Sequence, residues 1–200
     1  MEEKNKPILF CDFDGVLSHD KYWRSLSSDV HNEVQKLLFY DNKTIVNDWM
    51  RGKYTAEQIN QLVSEKIGIP FEQLWDIFVN DCRTTTVAKE FLEKLSDFRE
   101  DYIVILITGN MDSFSRFTHP ALNLEKYFDH ISNSFYEGIH KTDNNGELFL
   151  KYANEYNVSL EKCIILDDSI NVCNLFQKLG GKACLITPEQ DVLYYLNKLN

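Results

Sequence analysis

The sequence predicts an α/β protein: a doubly wound parallel sheet with a block of helices inserted after its first strand. Three observations carry this reading. Short, wholly apolar runs that end in polar residues occur at Ile8-Leu9-Phe10-Cys11, Tyr102 to Ile107 and Cys163 to Leu166, as expected of strands covered on both faces. Helical patterns alternate with these runs, the signature of layered α/β architecture. From about residue 18 to residue 85 the alternation stops, and only helix patterns occur.

Taken in order, Ile8 to Cys11 is the first strand and runs out into Asp12-Phe13-Asp14-Gly15-Val16-Leu17. In the inserted block, Val30 to Phe39 sets Val30, Val34, Leu37 and Leu38 at helical spacing. Thr44 to Met50 is a second helix, closed by Arg51-Gly52-Lys53, which reads as a turn, the alternative being a pair of cations for the second end of a substrate. Thr55-x-x-Gln58 matches a capping box and heads a helix whose apolar face is Ile59, Leu62 and Val63, ending near Gly68. Pro70 opens a fourth helix through Leu74, Trp75, Ile77 and Phe78. Trp23, Trp49 and Trp75 are expected in the apolar interior of this block. After it come a helix from Val87 to Phe98, the second strand, a helix from Glu147 to Tyr156 and the third strand. A helix from Ile170 to Leu179 then stops at Gly180-Gly181, and Ala183 to Ile186 is a weaker fourth strand.

Composition narrows the classes of function. The 200 residues are 44% hydrophobic and 26% charged, which excludes disordered, collagen-like and coiled-coil chains. Lys and Arg number 21 against 31 Asp and Glu, a formal net charge of −10. Such a chain repels nucleic-acid backbones and anionic membranes, so neither is expected as a partner. A small anionic substrate requires local cations or a metal to overturn that sign. Five cysteines, an odd number without C-x-x-C spacing, argue against a disulfide framework or a zinc knuckle and fit a reducing compartment. Met1 to Pro7 is polar and charged, with no signal-peptide core, and no run approaches the roughly 18 apolar residues of a membrane span. A soluble cytoplasmic protein is expected. His19, His119, His130 and His140 read as surface or packing residues.

In open α/β sheets, ligands sit beyond the carboxyl ends of the strands. Four carboxylates stand there: Asp12, Asp14, Asp167 and Asp168. Thr108-Gly109-Asn110 follows the second strand, and Lys141 lies in the segment Gly138 to Asp143. Clustered carboxylates cannot all stay ionised without a cation, because each raises the pKa of its neighbours. A hard divalent ion resolves this, and Mg²⁺ needs only two or three protein oxygens plus a substrate phosphate. Thr108 and Lys141 then serve as donors to that phosphate. Asp12 is positioned to attack phosphorus, and Asp14 to protonate the leaving oxygen and later activate water. Gly15 permits the sharp exit of the loop.

These stretches resemble the motifs of the haloacid dehalogenase (HAD) superfamily. Asp12-Phe13-Asp14-Gly15-Val16-Leu17 resembles its first motif, D-x-D-G-[TV]-L, and Ile107-Thr108-Gly109-Asn110 its second. Gly138-x-x-Lys141-x-Asp143, followed by Phe149, is similar to its G-x-x-K-P-D…F segment, with Thr142 in place of proline. Leu166-Asp167-Asp168-Ser169 resembles the acidic fourth motif, although Val172 stands where members often carry a further Asp or Asn, with Asn171 one position short. The resemblance spans about residues 8 to 187. It implies a Rossmann-like HAD core over residues 1–17 and 86–200, with residues 18–85 forming a helical C1 cap that gates the site. It also implies Mg²⁺ and an aspartyl-phosphate intermediate. Asp12 would be nucleophile and metal ligand, and Asp14 the general acid and base, with its backbone carbonyl also on the metal. Asp168 would bind the metal directly and Asp167 through a water. Thr108, Gly109, Asn110 and Lys141 would hold the transferring phosphoryl group.

Asp14 separates reaction classes in that superfamily: dehalogenases attack carbon and need no such acid. The expectation is therefore a Mg²⁺-dependent phosphatase acting on a small phosphorylated metabolite, sugar phosphates among the candidates. The segment from Asp48 to Phe78 is similar to the caps of small sugar-phosphate phosphatases. The alternatives are a phosphomutase of the same superfamily, or a non-catalytic binding protein of the same fold.

Overall fold

The computed structural model describes residues 6–199; Asn200 and residues 1–5, part of the polar stretch Met1 to Pro7, lie outside the described residues. Five strands, β1 (Ile8–Cys11), β2 (Ile103–Thr108), β3 (His130–Asn133), β4 (Ile164–Asp167) and β5 (Lys182–Leu185), form one parallel sheet in the order β3-β2-β1-β4-β5. The helices are α1 (Ser28–Gln35), α2 (Lys43–Trp49), α3 (Ala56–Ile67), α4 (Phe71–Arg83), α5 (Lys89–Asp97), α6 (His119–Leu122), α7 (Ser134–Glu137), α8 (Glu147–Glu155), α9 (Ile170–Lys178) and α10 (Val192–Leu199).

Central β1 has no solvated face, which is why it is apolar at every position. Alternate side chains go to opposite layers. Leu9, Cys11, Val104, Leu106 and Leu166 meet Leu92 and Leu95 of α5 and Val192 and Leu196 of α10. Ile8, Phe10, Ile105, Ile107 and Ile165 meet Leu148, Phe149 and Tyr152 of α8 and Val172 and Phe176 of α9. The result is a three-layer α/β sandwich of Rossmann type, as expected. Val172 belongs to this core, whereas Asn171 is exposed, so the position four residues after Asp168 serves packing.

Four of these elements lie outside the expected set: the short helices α6 and α7, the strand β3 and the helix α10. β3, an edge strand, reads His-Ile-Ser-Asn with a single aliphatic residue, so no apolar run marks it. The amphipathic α10 closes the layer under α5.

Between β1 and α5, helices α1 to α4 carry an apolar cluster of their own, built on Trp23, Val34, Leu38, Trp49, Ile59, Val63, Leu74 and Phe78. The capping box forms as read: the Gln58 amide N–H donates to Thr55 Oγ1 at 3.4 Å, and the Thr55 N–H donates to Gln58 Oε1 at 2.8 Å. Helix α3 ends at Gly68, whose φ of +73° favours glycine. The helix expected over Val30 to Phe39 instead ends at Gln35 and widens into a π-helical segment, Lys36–Asp41. Within that segment Leu38 is buried and Tyr40 is exposed. No helix among the described residues is long and apolar enough to cross a membrane.

Candidate active site

The parallel register brings the chemistry together. Cys11 pairs with Leu106 and with Leu166, so the chain leaves β1 as Asp12 beside Asp167 at the end of β4 and close to Thr108 at the end of β2. Backbone N–H groups orient both carboxylates: Phe13 donates to Asp12 Oδ1 at 2.8 Å, and Ser169 donates to Asp167 Oδ1 at 2.8 Å. The buried Lys141 ammonium bridges them, 2.6 Å from Asp12 Oδ2 and 2.5 Å from Asp167 Oδ2. Burial works against the charge on Lys141, but the two carboxylates outweigh it and hold its pKa above the ordinary value.

Asp12, Asp167 and Asp168 each offer an oxygen, all within 4.8 Å of one another. Burial, then the charge of Asp12, raises the pKa of both Asp167 and Asp168. Asp168 Oδ2 rests over Gly15, where a Cβ would lie 2.1 Å from it. Gly15 also has a φ of +78°, so both the space and the backbone there require glycine. An all-oxygen donor set with excess negative charge and no imidazole suits a hard divalent cation. Both oxygens of Asp167 already have protein donors, whereas Asp168 is exposed and its carboxyl takes a hydrogen bond from its own backbone N–H.

Asp14 stands apart from that cluster. Its carboxyl opens into a cleft of about 500 Å³ lined also by Lys21, Tyr22, Met50, Gly109 and Met111. Enclosure by protein, then the charge of Asp12, pushes its pKa up to about 7. The Asn110 side chain holds it: Nδ2 donates to Asp14 Oδ2 at 2.7 Å. The amide orientation is set by its other end, where Oδ1 accepts from the Met111 N–H at 2.9 Å and from the Tyr22 hydroxyl at 2.6 Å. Burial, followed by Asp14, raises the Tyr22 pKa well above its ordinary value, which keeps that hydroxyl a donor.

The site residues expected from sequence, Asp12, Asp14, Thr108, Gly109, Asn110, Lys141, Asp167 and Asp168, thus lie at this edge of the sheet. The side chain of Asn110 is hydrogen-bonded to Asp14 and Tyr22, and its N–H donates to Ser134 Oγ at 3.0 Å. Thr108 is buried with its hydroxyl 3.5 Å from Asn110 Nδ2, and Gly109 lines the cleft under His140. Arg51 pairs with Asp143 through both carboxylate oxygens, at 2.8 and 3.0 Å, so the Arg51-Gly52-Lys53 turn joins the inserted helices to the segment that carries Lys141.

A family model for haloacid dehalogenase-like hydrolases matches residues 7–176. The chain belongs to this family. No curated protein matches it by sequence. Among solved structures, it is similar to a HAD family enzyme from Bacteroides thetaiotaomicron in complex with magnesium and inorganic phosphate. That pair shares 18% identity and a TM-score of 0.70, over 93% of this chain and 96% of that one. A HAD-like family hydrolase from Porphyromonas gingivalis shares 17% identity and a TM-score of 0.71, over 98% of each chain. The 2-haloacid dehalogenase from Pseudomonas syringae pv. Tomato DC3000 shares 15% identity and a TM-score of 0.64, over 92% and 87%. These likenesses concern the fold, and they join phosphate-bound and dehalogenating members of the HAD-like hydrolases.

Three supporting residues of this HAD-like site escape sequence reasoning. Tyr22 lies in a stretch without periodicity. Asn133 and Ser134 follow the unmarked edge strand; Asn133 Nδ2 donates to the Met111 carbonyl at 2.8 Å, and Ser134 Oγ donates to the Met50 carbonyl at 2.7 Å. Only the polarity of Ser132-Asn133-Ser134 just beyond an aliphatic residue hints at a buried hydrogen-bonding role.

Proposed function

We propose that this HAD-like hydrolase is a Mg²⁺-dependent phosphatase acting on a small phosphomonoester through an aspartyl-phosphate. The observation that carries the reading is Asp14: a second carboxyl two residues after Asp12, opening into the cleft, gripped by Asn110 and with a pKa near 7. Attack on carbon with loss of halide needs no proton donor. A departing alkoxide does, and an acid with a pKa near the working pH can give the proton and take one back.

In the first step, an oxygen of Asp12 forms the bond to phosphorus as the ester P–O bond breaks, and the proton of Asp14 goes to the leaving oxygen. In the second, Asp14 takes a proton from water, whose oxygen attacks the aspartyl-phosphate; inorganic phosphate leaves and the Asp12 carboxylate is restored. Thr108 Oγ1, the Gly109 backbone and Lys141 are assigned to the oxygens of the phosphoryl group, Lys141 as its neutralising charge. Asp12, Asp168 and the Asp14 carbonyl would hold Mg²⁺, with Asp167 acting through a water. When bound, the ion offsets the negative charge of the carboxylates and the phosphoryl oxygens. The inserted helices are assigned the role of a cap: Lys21, Tyr22 and Met50 line the cleft with Gly109 and restrict water around the intermediate.

Phosphate release from a panel of phosphomonoesters, with Mg²⁺, with chelator and with Asp12→Asn, tests this. Metal-dependent release that the substitution abolishes is expected. Chloride release from a 2-haloacid with no phosphate release from any ester would refute the reading.

A further inference from the structure

The cleft does not end at its inner chamber. A second hollow of about 540 Å³ adjoins it and shares Lys21, Gln35 and Tyr40 with it, the additional lining being His31, Asn32 and Lys36. No carboxylate lines this outer hollow, in a molecule with a net charge of −10. Neither Lys21 nor Lys36 has an ion-pair partner among the described residues, whereas Arg24, Arg51 and Lys53 of the same insertion are paired with Asp20, Asp143 and Asp48. The one acid of the inner chamber besides Asp14 is Asp20. It is already engaged by the Thr86 N–H and hydroxyl, at 2.8 and 2.9 Å.

The backbone that presents these lysines is specially built. Trp23 has a φ of +57°, a left-handed conformation that costs a bulky residue energy and persists only where its surroundings hold it. They do: its indole is fully buried and donates to Asn60 Oδ1 at 3.0 Å. That reversal leaves Lys21 and Tyr22 in the cleft while Trp23 anchors in the apolar cluster. Lys36 opens the π-helical segment, an arrangement enriched at functional sites, and the same segment supplies Tyr40.

We propose that the substrate is a phosphomonoester bearing a second anionic group, a carboxylate or another phosphate, which Lys21 and Lys36 hold in the outer hollow. The proposal rests on the phosphatase reading for the first phosphate. Two ammonium groups without an ion-pair partner among the described residues line one hollow, Lys21 lying near enough to Asp14 to act on its carboxyl. They favour a ligand that brings further negative charge over one with a neutral polyol end. His31, Asn32 and Gln35 add polar contacts without adding negative charge.

The test is calorimetric binding to the full chain carrying Asp12→Asn, in MgCl₂, so that turnover does not obscure affinity. The probes are 6-phosphogluconate against glucose 6-phosphate, and fructose 1,6-bisphosphate against fructose 6-phosphate. At least one anion-ended ester is expected to bind roughly tenfold or more tightly than its neutral counterpart, the effect of a charge-assisted contact. The pair with the larger ratio identifies the second group as carboxylate or phosphate. Adding Lys21→Gln and Lys36→Gln together should reduce that ratio to about twofold or less, and Lys36→Arg should retain it. Equal binding within both pairs, or a preference that survives loss of both lysines, overturns the proposal. Phosphate release from the same esters by the unsubstituted protein separates the two readings. Release without a binding preference removes the second-anion proposal alone, and preference without release from any ester removes the phosphatase reading alone.

Discussion

Asp14 is the residue whose behaviour depends most on neighbours far away in the chain. Its carboxyl is aimed by Asn110, 96 positions later, and Asn110 is aimed in turn by Tyr22 from the start of the inserted helices. Tyr22→Phe removes the hydroxyl and leaves the Met111 N–H as the remaining donor to Asn110 Oδ1. The expected outcome is a fall in kcat of roughly three- to tenfold with little change in KM, the worth of one neutral hydrogen bond. A raised KM with kcat intact would show that Tyr22 contacts substrate and does not position the acid. Gly15 shows the opposite case, a residue whose identity is dictated by its own backbone and by Asp168 lying where a side chain would be.

Among the elements, α3 shows how a helix is set at both ends. Its N-terminus is closed by the capping box, and Glu57 in its first turn pairs with Arg116 beyond β2, at 2.6 and 3.0 Å. Hydrogen bonding to Arg116, outweighing partial burial, lowers the Glu57 pKa to about 2. A carboxyl whose folded pKa is depressed stabilises the fold above its unfolded pKa, and that contribution is lost as pH falls through the folded value. Glu57→Gln should therefore cost about 1 kcal/mol or less at pH 7, a modest figure because the pair is partly exposed to solvent. The difference from the unsubstituted protein should shrink between about pH 4.5 and about pH 2. Urea denaturation at several pH values measures it, and a difference that stays constant across that window would contradict the assignment.

Across the whole molecule, the inserted helices are tied to the sheet by a buried polar junction. Asp112, after β2, accepts from the Trp49 indole at 2.8 Å, from the Ala56 N–H at 3.2 Å and from Arg116 at 2.8 Å. Met111 belongs to the apolar cluster of the insertion, and Phe117 and Phe135 pack against it. Asp112→Ala strands the Trp49 indole and the Ala56 N–H, while Arg116 keeps Glu57, and should cost about 2 kcal/mol or more, with protease cleavage inside residues 18–85 preceding global unfolding. A loss below about 1 kcal/mol would show that apolar packing alone holds the insertion.

How much of this was legible follows from where each signal resides. Strands buried on both faces announce themselves by composition, so β1, β2 and β4 could be read directly, and with them the strand ends that carry Asp12, Thr108 and Asp167. The D-x-D-G pattern was readable because Asp12, Asp14 and Gly15 serve one turn through local backbone geometry. The edge strand β3 could not be read, because a strand with a single neighbour needs no continuous apolar run. The widening of α1 into a π-helical turn was equally hidden, since no residue pattern in that stretch marks it.

By itself, then, the sequence marked the apolar strands β1, β2 and β4 and placed Asp12, Asp14, Asp167 and Asp168 just beyond strand ends, since each of these depends on residues adjacent in the chain. The tertiary structure alone decided that Asn110 and Tyr22 serve Asp14, that Arg51 is spent on Asp143, and that Lys21 and Lys36 line one hollow that no carboxylate lines. Those assignments rest on distances between residues far apart in the chain, and such distances exist only once the chain has closed on itself.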